Sequence, residues 1–451
     1  MTVTAQQDLV ERIWARDATL WTGADEDKWL GWLDEPNRMQ ERISDLGEFA
    51  QAARAQFTTF VLLGMGGSSL APEVLKRTFG SKQIHVLDTT HPAMIRHAQE
   101  SLDLEKTMFI VSSKSGTTLE TRSHFEYFWE RTGGRGAQFV AITDPGSELQ
   151  QLAESRGIRV FAGEPTIGGR YSALSPFGIV PAALIDVDLE RLLANAVRMA
   201  DSARGDANPG LHLGLQLGEN WRAGRDKVAI NPNTGGFGLW AEQLIAESTG
   251  KQGKGLVPAP GESPEGPDRQ GTSVEIADPY AIAGEFFRWE FAVAVAGTIL
   301  GVNVFDQPDV QAAKDKTNEV LASGDDPKLE PEGSVDELLS RAEPPNYIAI
   351  QAFIDPMREG QLQSLIDRAH ETGCIVTHGL GPRYLHSTGQ LHKGGPPTGL
   401  FVQVVDDTGA EIPIPGQDFG FGRLIRAQAE GDFQSLKERG RQIVRVRLEA
   451  L

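Results

Sequence analysis

The sequence predicts an α/β protein made of two doubly wound parallel-sheet units behind a helical N-terminal arm. Three observations carry that expectation. From about residue 57, short apolar runs of strand length alternate with amphipathic stretches of helix length, the pattern of strand–helix–strand units. Two of the runs, Phe60-Val61-Leu62-Leu63 and Met108-Phe109-Ile110-Val111, pass directly into glycine- and serine-rich loops. Strands do this at the ligand-binding edge of a parallel sheet. The first 56 residues instead place apolar positions at helical spacing and include Trp14, Trp21, Trp29 and Trp32, as suits helices laid on a larger body. At 451 residues the chain is long enough for two or three cores.

Taken in order, residues 1–56 form the arm, 57–203 the first α/β unit and 204–451 the second. The first unit is expected to hold strands at 58–63, 84–88, 107–112, 137–143 and 158–161, with helices at 71–79, 118–131 and 146–156. Further helices are expected at 191–203, 211–222 and 239–248, the last stopped by Thr249-Gly250, and a strand at 227–230. Residues 251–271, with prolines among glycines and charges, read as a long loop. Apolar helices follow at 281–300 and 310–321, then an acidic, proline-bearing connection at 324–345. The last third reads as strand 346–354, helix 359–371, strand 374–377, a His- and Gly-rich loop at 378–397, strand 399–405, further helices, and a final strand near 442–448.

Composition narrows the function. The formal net charge of −19 argues against nucleic acid and anionic membranes as partners. An anionic ligand must then be drawn by local positive charge, for which Lys114, Arg170 and Lys314 are the candidates. The one cysteine, Cys374, leaves no partner for an internal disulfide and no cysteine metal cluster, a pattern that fits a reducing cytoplasm. The first ten residues have neither the cationic start nor the apolar core of a signal peptide. The most apolar stretch, 291–305, is interrupted by Gly297, Gly301 and Asn303 and is too short to span a bilayer.

The two loops carry the first chemistry. Gly64-Met65-Gly66-Gly67-Ser68-Ser69-Leu70 and Ser112-Ser113-Lys114-Ser115-Gly116-Thr117-Thr118-Leu119-Glu120-Thr121 each end a strand and open a helix. That geometry aims backbone N–H groups, hydroxyls and a helix dipole at an anion above the strand ends. A pair of such loops with one lysine between them reads as a cradle for a phosphorylated small molecule. A plain glycine turn accounts for the first loop equally well. A capping box of Thr117 or Thr118 with a nearby glutamate accounts for two hydroxyls of the second at most.

Other residues stand out by spacing. Arg170 follows two glycines in Gly168-Gly169-Arg170-Tyr171-Ser172, which allow a close backbone approach to a ligand; a surface charge is the alternative. Gln243 and Glu247, four apart, share a helix face with Trp240 and Leu244 nearby. By spacing alone Glu247 reads first as an exposed edge residue, and second as a desolvated base. Gln307, in Phe305-Asp306-Gln307-Pro308, precedes the helix bearing Lys314; the two read as a helix cap and a solvated charge unless a site recruits them. His378, His386 and His392 share one stretch, but no carboxylate or cysteine joins them at ligand spacing, and no metal site is expected.

Together these segments resemble the phosphoglucose isomerase family, most closely the isomerase half of transaldolase–phosphoglucose isomerase fusions. The resemblance implies two sugar-isomerase-type units. It implies Gly67 and Ser68 as phosphate ligands from the first loop, and Ser113, Ser115 and Thr118 from the second, with Lys114 adjacent. Gln243 through Lys251 is similar to the family's catalytic helix, which makes Glu247 the general base and Gln243 a substrate contact. Arg170 would steady an enediolate, and Gln307 and Lys314 would contact the sugar. His386, in Leu385-His386-Ser387-Thr388-Gly389-Gln390, is similar to the family's ring-opening histidine. In the family that histidine normally precedes the Phe-Asp-Gln segment; here it follows Lys314, so the C-terminal segment is permuted. The second loop also departs from the family at Ser115-Gly116. The implied activity is reversible interconversion of glucose 6-phosphate and fructose 6-phosphate through a cis-enediol, with no metal or organic cofactor. Mannose 6-phosphate as a second substrate, or a non-catalytic sugar-phosphate sensor, are the alternatives. A cytoplasmic homodimer and a functional link to transaldolase are implied as well; no transaldolase barrel is legible in this chain.

Overall fold

A computed structural model describes residues 2–205 and 207–451. The predicted α/β class with parallel sheets is what it shows. Strands β1 (Thr59–Gly64), β2 (Ile84–Leu87), β3 (Thr107–Ser112), β4 (Phe139–Thr143) and β5 (Arg159–Ala162) form one sheet in the order β2-β1-β3-β4-β5. All its ladders are parallel, with Gly64 level with Ser112 in adjacent strands. Strands β1 and β3 are buried nearly throughout, as central strands covered by helices on both faces must be. Their register brings the two hydroxyl-rich loops out side by side.

The second half holds two parallel sheets. Strands β6 (Lys227–Asn231), β7 (Val257–Pro260) and β8 (Arg269–Ser273) pair in the order β7-β6-β8. Strands β9 (Tyr347–Phe353), β10 (Ile375–Leu380), β11 (Gly399–Val405) and β12 (Gln442–Arg447) pair as β10-β9-β11-β12. The stretch 251–271, expected as loop, therefore carries β7 and β8. Its composition misled for a physical reason. Pro258 and Pro260 lie on β7, an outer strand of its sheet, where a missing N–H costs no ladder bond. On β8, also outer, burial alternates between polar residues, so no apolar run marks it. Strand β10 also runs to Leu380, which takes His378 out of the loop where it was expected.

The arm packs across the molecule onto the helix Ile282–Leu300. The Trp21 indole N–H donates to the Ala294 carbonyl at 2.8 Å, and Trp14 stacks on Phe287 at 6.3 Å. Trp32, 1% exposed, stacks on Tyr171 at 5.4 Å and meets Phe287 and Phe291. Burying each such ring stabilises the fold by roughly 1.5–3 kcal/mol. The helix Ile282–Leu300 is apolar because the arm and the helices Leu189–Ser202 and Pro209–Arg222 surround it. Among the described residues no helix is long and apolar enough to cross a membrane.

Two helices from the far end of the chain complete the site. Val310–Ala322 carries Lys314 and packs on Phe421–Glu438. The approach is close: a Cβ at Gly431 would lie 2.8 Å from the Thr317 backbone nitrogen.

Candidate active site

The loop after β1 forms a tight turn, Gly66–Ser68, buried at all three residues. Gly66 has φ of +54°, a conformation glycine adopts freely. A Cβ at Gly66 would fall 2.8 Å from the His386 carbonyl oxygen and 3.0 Å from Gln243 Nε2. One at Gly67 would collide with the backbone of Gly169. The first loop is thus the point where the Arg170 turn, the Gln243 helix and the His386 segment meet.

Arg170 is 2% exposed and uses its whole guanidinium. Nε donates to Ser248 Oγ at 2.8 Å, Nη1 to Gln307 Oε1 at 2.9 Å, and Nη2 to the carbonyls of Val304 at 2.5 Å and Asp306 at 2.9 Å. Nη1 also stands 3.7 Å from Glu247 Oε2. Gln243 Nε2 donates to that same oxygen at 3.0 Å, as the four-residue spacing on the helix Phe237–Thr249 requires. Glu247 is 12% exposed at its side chain, so it is no solvated edge residue. Gln307 joins this group through Arg170 rather than capping a helix.

The second loop opens the helix Leu119–Arg131. Ser113 Oγ donates to Thr118 Oγ1 at 3.1 Å and accepts from the Gly116 N–H at 3.2 Å. Ser115 is exposed and pairs with Thr117 at 3.1 Å. Thr118 makes no side-chain cap, so the capping-box account of these hydroxyls does not hold. Lys114 is turned from the loop: its ammonium pairs with Asp144 and donates to the Glu164 carbonyl at 3.2 Å. Burial raises the Asp144 carboxyl, an effect that Lys114 partly offsets.

Thr117, Thr118, Glu120, Lys314, His386 and Gln428 line a cavity of about 370 Å³. Here His386 Nε2 lies 2.9 Å from Glu120 Oε1. Burial alone would raise the Glu120 carboxyl, but the charge and hydrogen bond of His386 and the charge of Lys314 hold it down at about 2. A carboxylate oxygen only accepts, so in this contact His386 Nε2 faces Glu120 as the donor. The other two histidines lie elsewhere. His378 is exposed beside Glu359 at 3.8 Å, and His392 is buried among Tyr347, Tyr384 and Phe401 with Nδ1 3.0 Å from the Gln351 amide.

Sequence reasoning passed over Glu120, Gln428 and Lys251. Lys251 Nζ, 1% exposed on its side chain, donates to the carbonyls of Asn303 and Asp306 and to Asp306 Oδ1, each at 2.6 Å. Burial first, then the Arg170 charge, lowers its ammonium to about 8. It ties the end of the Glu247 helix to the segment bearing Gln307. Its signal was its place at the end of the catalytic-helix motif. Glu120 had a signal too, two positions past the hydroxyl run. Gln428 had none.

Parallel sheets, two hydroxyl-rich loops and a buried arginine–glutamate pair make this an α/β protein with a candidate proton-transfer site. Residues 31–205 match the family model of phosphoglucose isomerase. It is 31% identical over 249 residues to a glucose-6-phosphate isomerase of Carboxydothermus hydrogenoformans, covering 49% of this chain and 53% of that protein. It is 33% identical over 202 residues to the glucose-6-phosphate isomerase of Thermus thermophilus, covering 42% of this chain and 47% of the relative. The chain thus spans about half the length of the curated relatives it matches. In fold it is similar to the crystal structure of a glucose-6-phosphate isomerase from Chlamydia trachomatis, with a TM-score of 0.60, 21% identity, and coverage of 71% of this chain and 85% of that one.

Proposed function

We propose that the protein is a glucose-6-phosphate isomerase, interconverting glucose 6-phosphate and fructose 6-phosphate through a cis-enediol. One observation carries the reading. Glu247 is nearly buried, stands 3.7 Å from Arg170, receives the Gln243 amide at 3.0 Å, and lies on the helix that borders the first loop. A carboxylate held with one oxygen oriented by an amide, beside a fixed cation, suits proton transfer next to developing oxyanion charge.

On this reading the substrate phosphate sits over the loops, on the N–H groups and hydroxyls of Gly67, Ser68, Ser113, Ser115 and Thr118. Binding there orients the sugar. His386, with Lys314 beside it, gives a proton to the ring oxygen as the bond from that oxygen to C1 breaks and the C1 hydroxyl loses its proton to solvent, which opens the pyranose. Glu247 takes the proton from C2 and returns it to C1, while Arg170 stabilises charge on the oxygens of the enediolate. Gln307, held by Arg170, contacts the sugar. Lys114 acts through Asp144 to hold the loop rather than as a ligand. The resemblance of the motifs also carries a cytoplasmic homodimer linked functionally to a transaldolase.

The test is a coupled assay for glucose 6-phosphate formed from fructose 6-phosphate, with chelator present, on wild type and Glu247→Gln. Wild type is expected to turn over. The variant should fold normally and lose roughly 100- to 10,000-fold in kcat. A variant with wild-type turnover would remove Glu247 as the base, and an inactive wild type would remove the isomerase assignment.

A further inference from the structure

His386 is fixed by a chain of buried polar groups that ends on the C-terminal helix. Gln428 lies on Phe421–Glu438 and is 3% exposed. Its Nε2 donates to Glu120 Oε1 at 2.7 Å, the same oxygen that meets His386 Nε2 at 2.9 Å. Its Oε1 accepts from Thr90 Oγ1 at 2.7 Å, and Thr90 is wholly buried. The direction of each bond follows from chemistry. The Glu120 carboxylate only accepts, so the amide must present its NH₂ there and its oxygen to the Thr90 hydroxyl.

Resting on the isomerase reading above, we infer that Gln428 is a positioning residue for the ring-opening step: it locks the Glu120 carboxylate in the orientation that holds His386 with Nε2 protonated. Glu120 alone does not define that orientation, because a carboxylate with one partner rotates about its terminal bond. A second donor from a separate helix removes that freedom. The helix itself is held in place, since Gly431 packs against Thr317 on the helix that supplies Lys314 to the same cavity. The permuted histidine segment and the C-terminal helix thus reach one carboxylate together, although 308 positions separate Gln428 from Glu120.

The experiment compares wild type, Gln428→Met and Thr90→Val. Methionine keeps the shape and removes the amide; valine removes the hydroxyl that orients the amide and leaves Glu120 and His386 intact. The expected result is a kcat roughly tenfold lower in Gln428→Met, as for other lost outer partners of an active group, a smaller loss in Thr90→Val, and a KM within about twofold of wild type, because neither change touches the phosphate loops. Nitrogen NMR of His386 supplies a readout independent of turnover. Wild type should show a protonated, strongly hydrogen-bonded Nε2, and both variants should broaden or move that signal. Unchanged kcat and an unchanged His386 signal in both variants would overturn the inference, with Thr90→Val deciding alone if Gln428→Met does not fold. An inactive wild type whose His386 signal still responds to Gln428→Met would instead uphold the positioning and overturn the reaction assigned to it.

Discussion

A methyl group placed on Gly67 would lie 2.0 Å from the carbonyl oxygen of Gly169. The loop after β1 and the turn bearing Arg170 therefore touch backbone to backbone, with no room for a side chain between them. Gly67→Ala is expected to force the two apart, at a cost of roughly 1–3 kcal/mol. Both the denaturation midpoint and turnover in the coupled assay should fall. An alanine variant equal to wild type in both would show that the loops separate freely.

Arg170→Lys is expected to be severe despite the conserved charge. A lysine has one nitrogen to set against Ser248, Gln307, Val304 and Asp306, which the planar guanidinium reaches together. Acceptors left unpaired in the interior cost about 1–3 kcal/mol each. Urea unfolding should show a loss of at least about 2 kcal/mol, with kcat lower by about 100-fold or more.

Asp432→Asn probes a buried network away from the loops. Asp432 accepts from Lys393, with both side chains at most 1% exposed, and from the Tyr384 hydroxyl at 2.7 Å. The variant leaves the Lys393 ammonium without its counter-charge. A loss of roughly 3–5 kcal/mol is expected by denaturant unfolding. The pair Lys393→Met, Asp432→Leu should lose less than Asp432→Asn alone, since it leaves no unpaired charge.

Three carboxyls should each cost stability as pH rises above the ordinary carboxylate range. Burial, then the charge of Glu35, raises Glu290 well above its usual 4.5, and neither of its oxygens has a partner among the described residues. Burial likewise raises Glu35 to about 7 and Glu242 to about 8. Above 4.5 the unfolded chain releases these protons while the folded chain keeps them, so each group costs stability as pH climbs to its folded value. Glu290→Gln has no such proton to keep. Its stability should decline less steeply as pH rises above about 5, by up to about 1.4 kcal/mol per pH unit. Parallel profiles of the two proteins in denaturant titrations would refute this account.

Much of the framework was legible from local spacing. The central strands announced themselves as continuous apolar runs, because both faces of β1 and β3 are covered. Gln243 and Glu247 were placed on one face by helical geometry alone. Strands β7 and β8 were not legible, because outer strands need neither an apolar run nor freedom from proline. The partner of Lys114 was not legible either, since Asp144 lies 30 positions away and reaches it only because β3 and β4 are adjacent.

What the chain encodes locally is the α/β pattern, the two hydroxyl-rich loops and the pairing of Gln243 with Glu247 on one helix face, because each depends on neighbours within a few positions. Folding settled how those pieces are partnered. Arg170 meets Gln307 across 137 positions, and His386 meets Glu120 across 266. Spacing along the chain carries no record of such pairs. They exist because parallel strands bring their loops to one edge, and because helices distant in the chain pack over that edge and add their side chains to it.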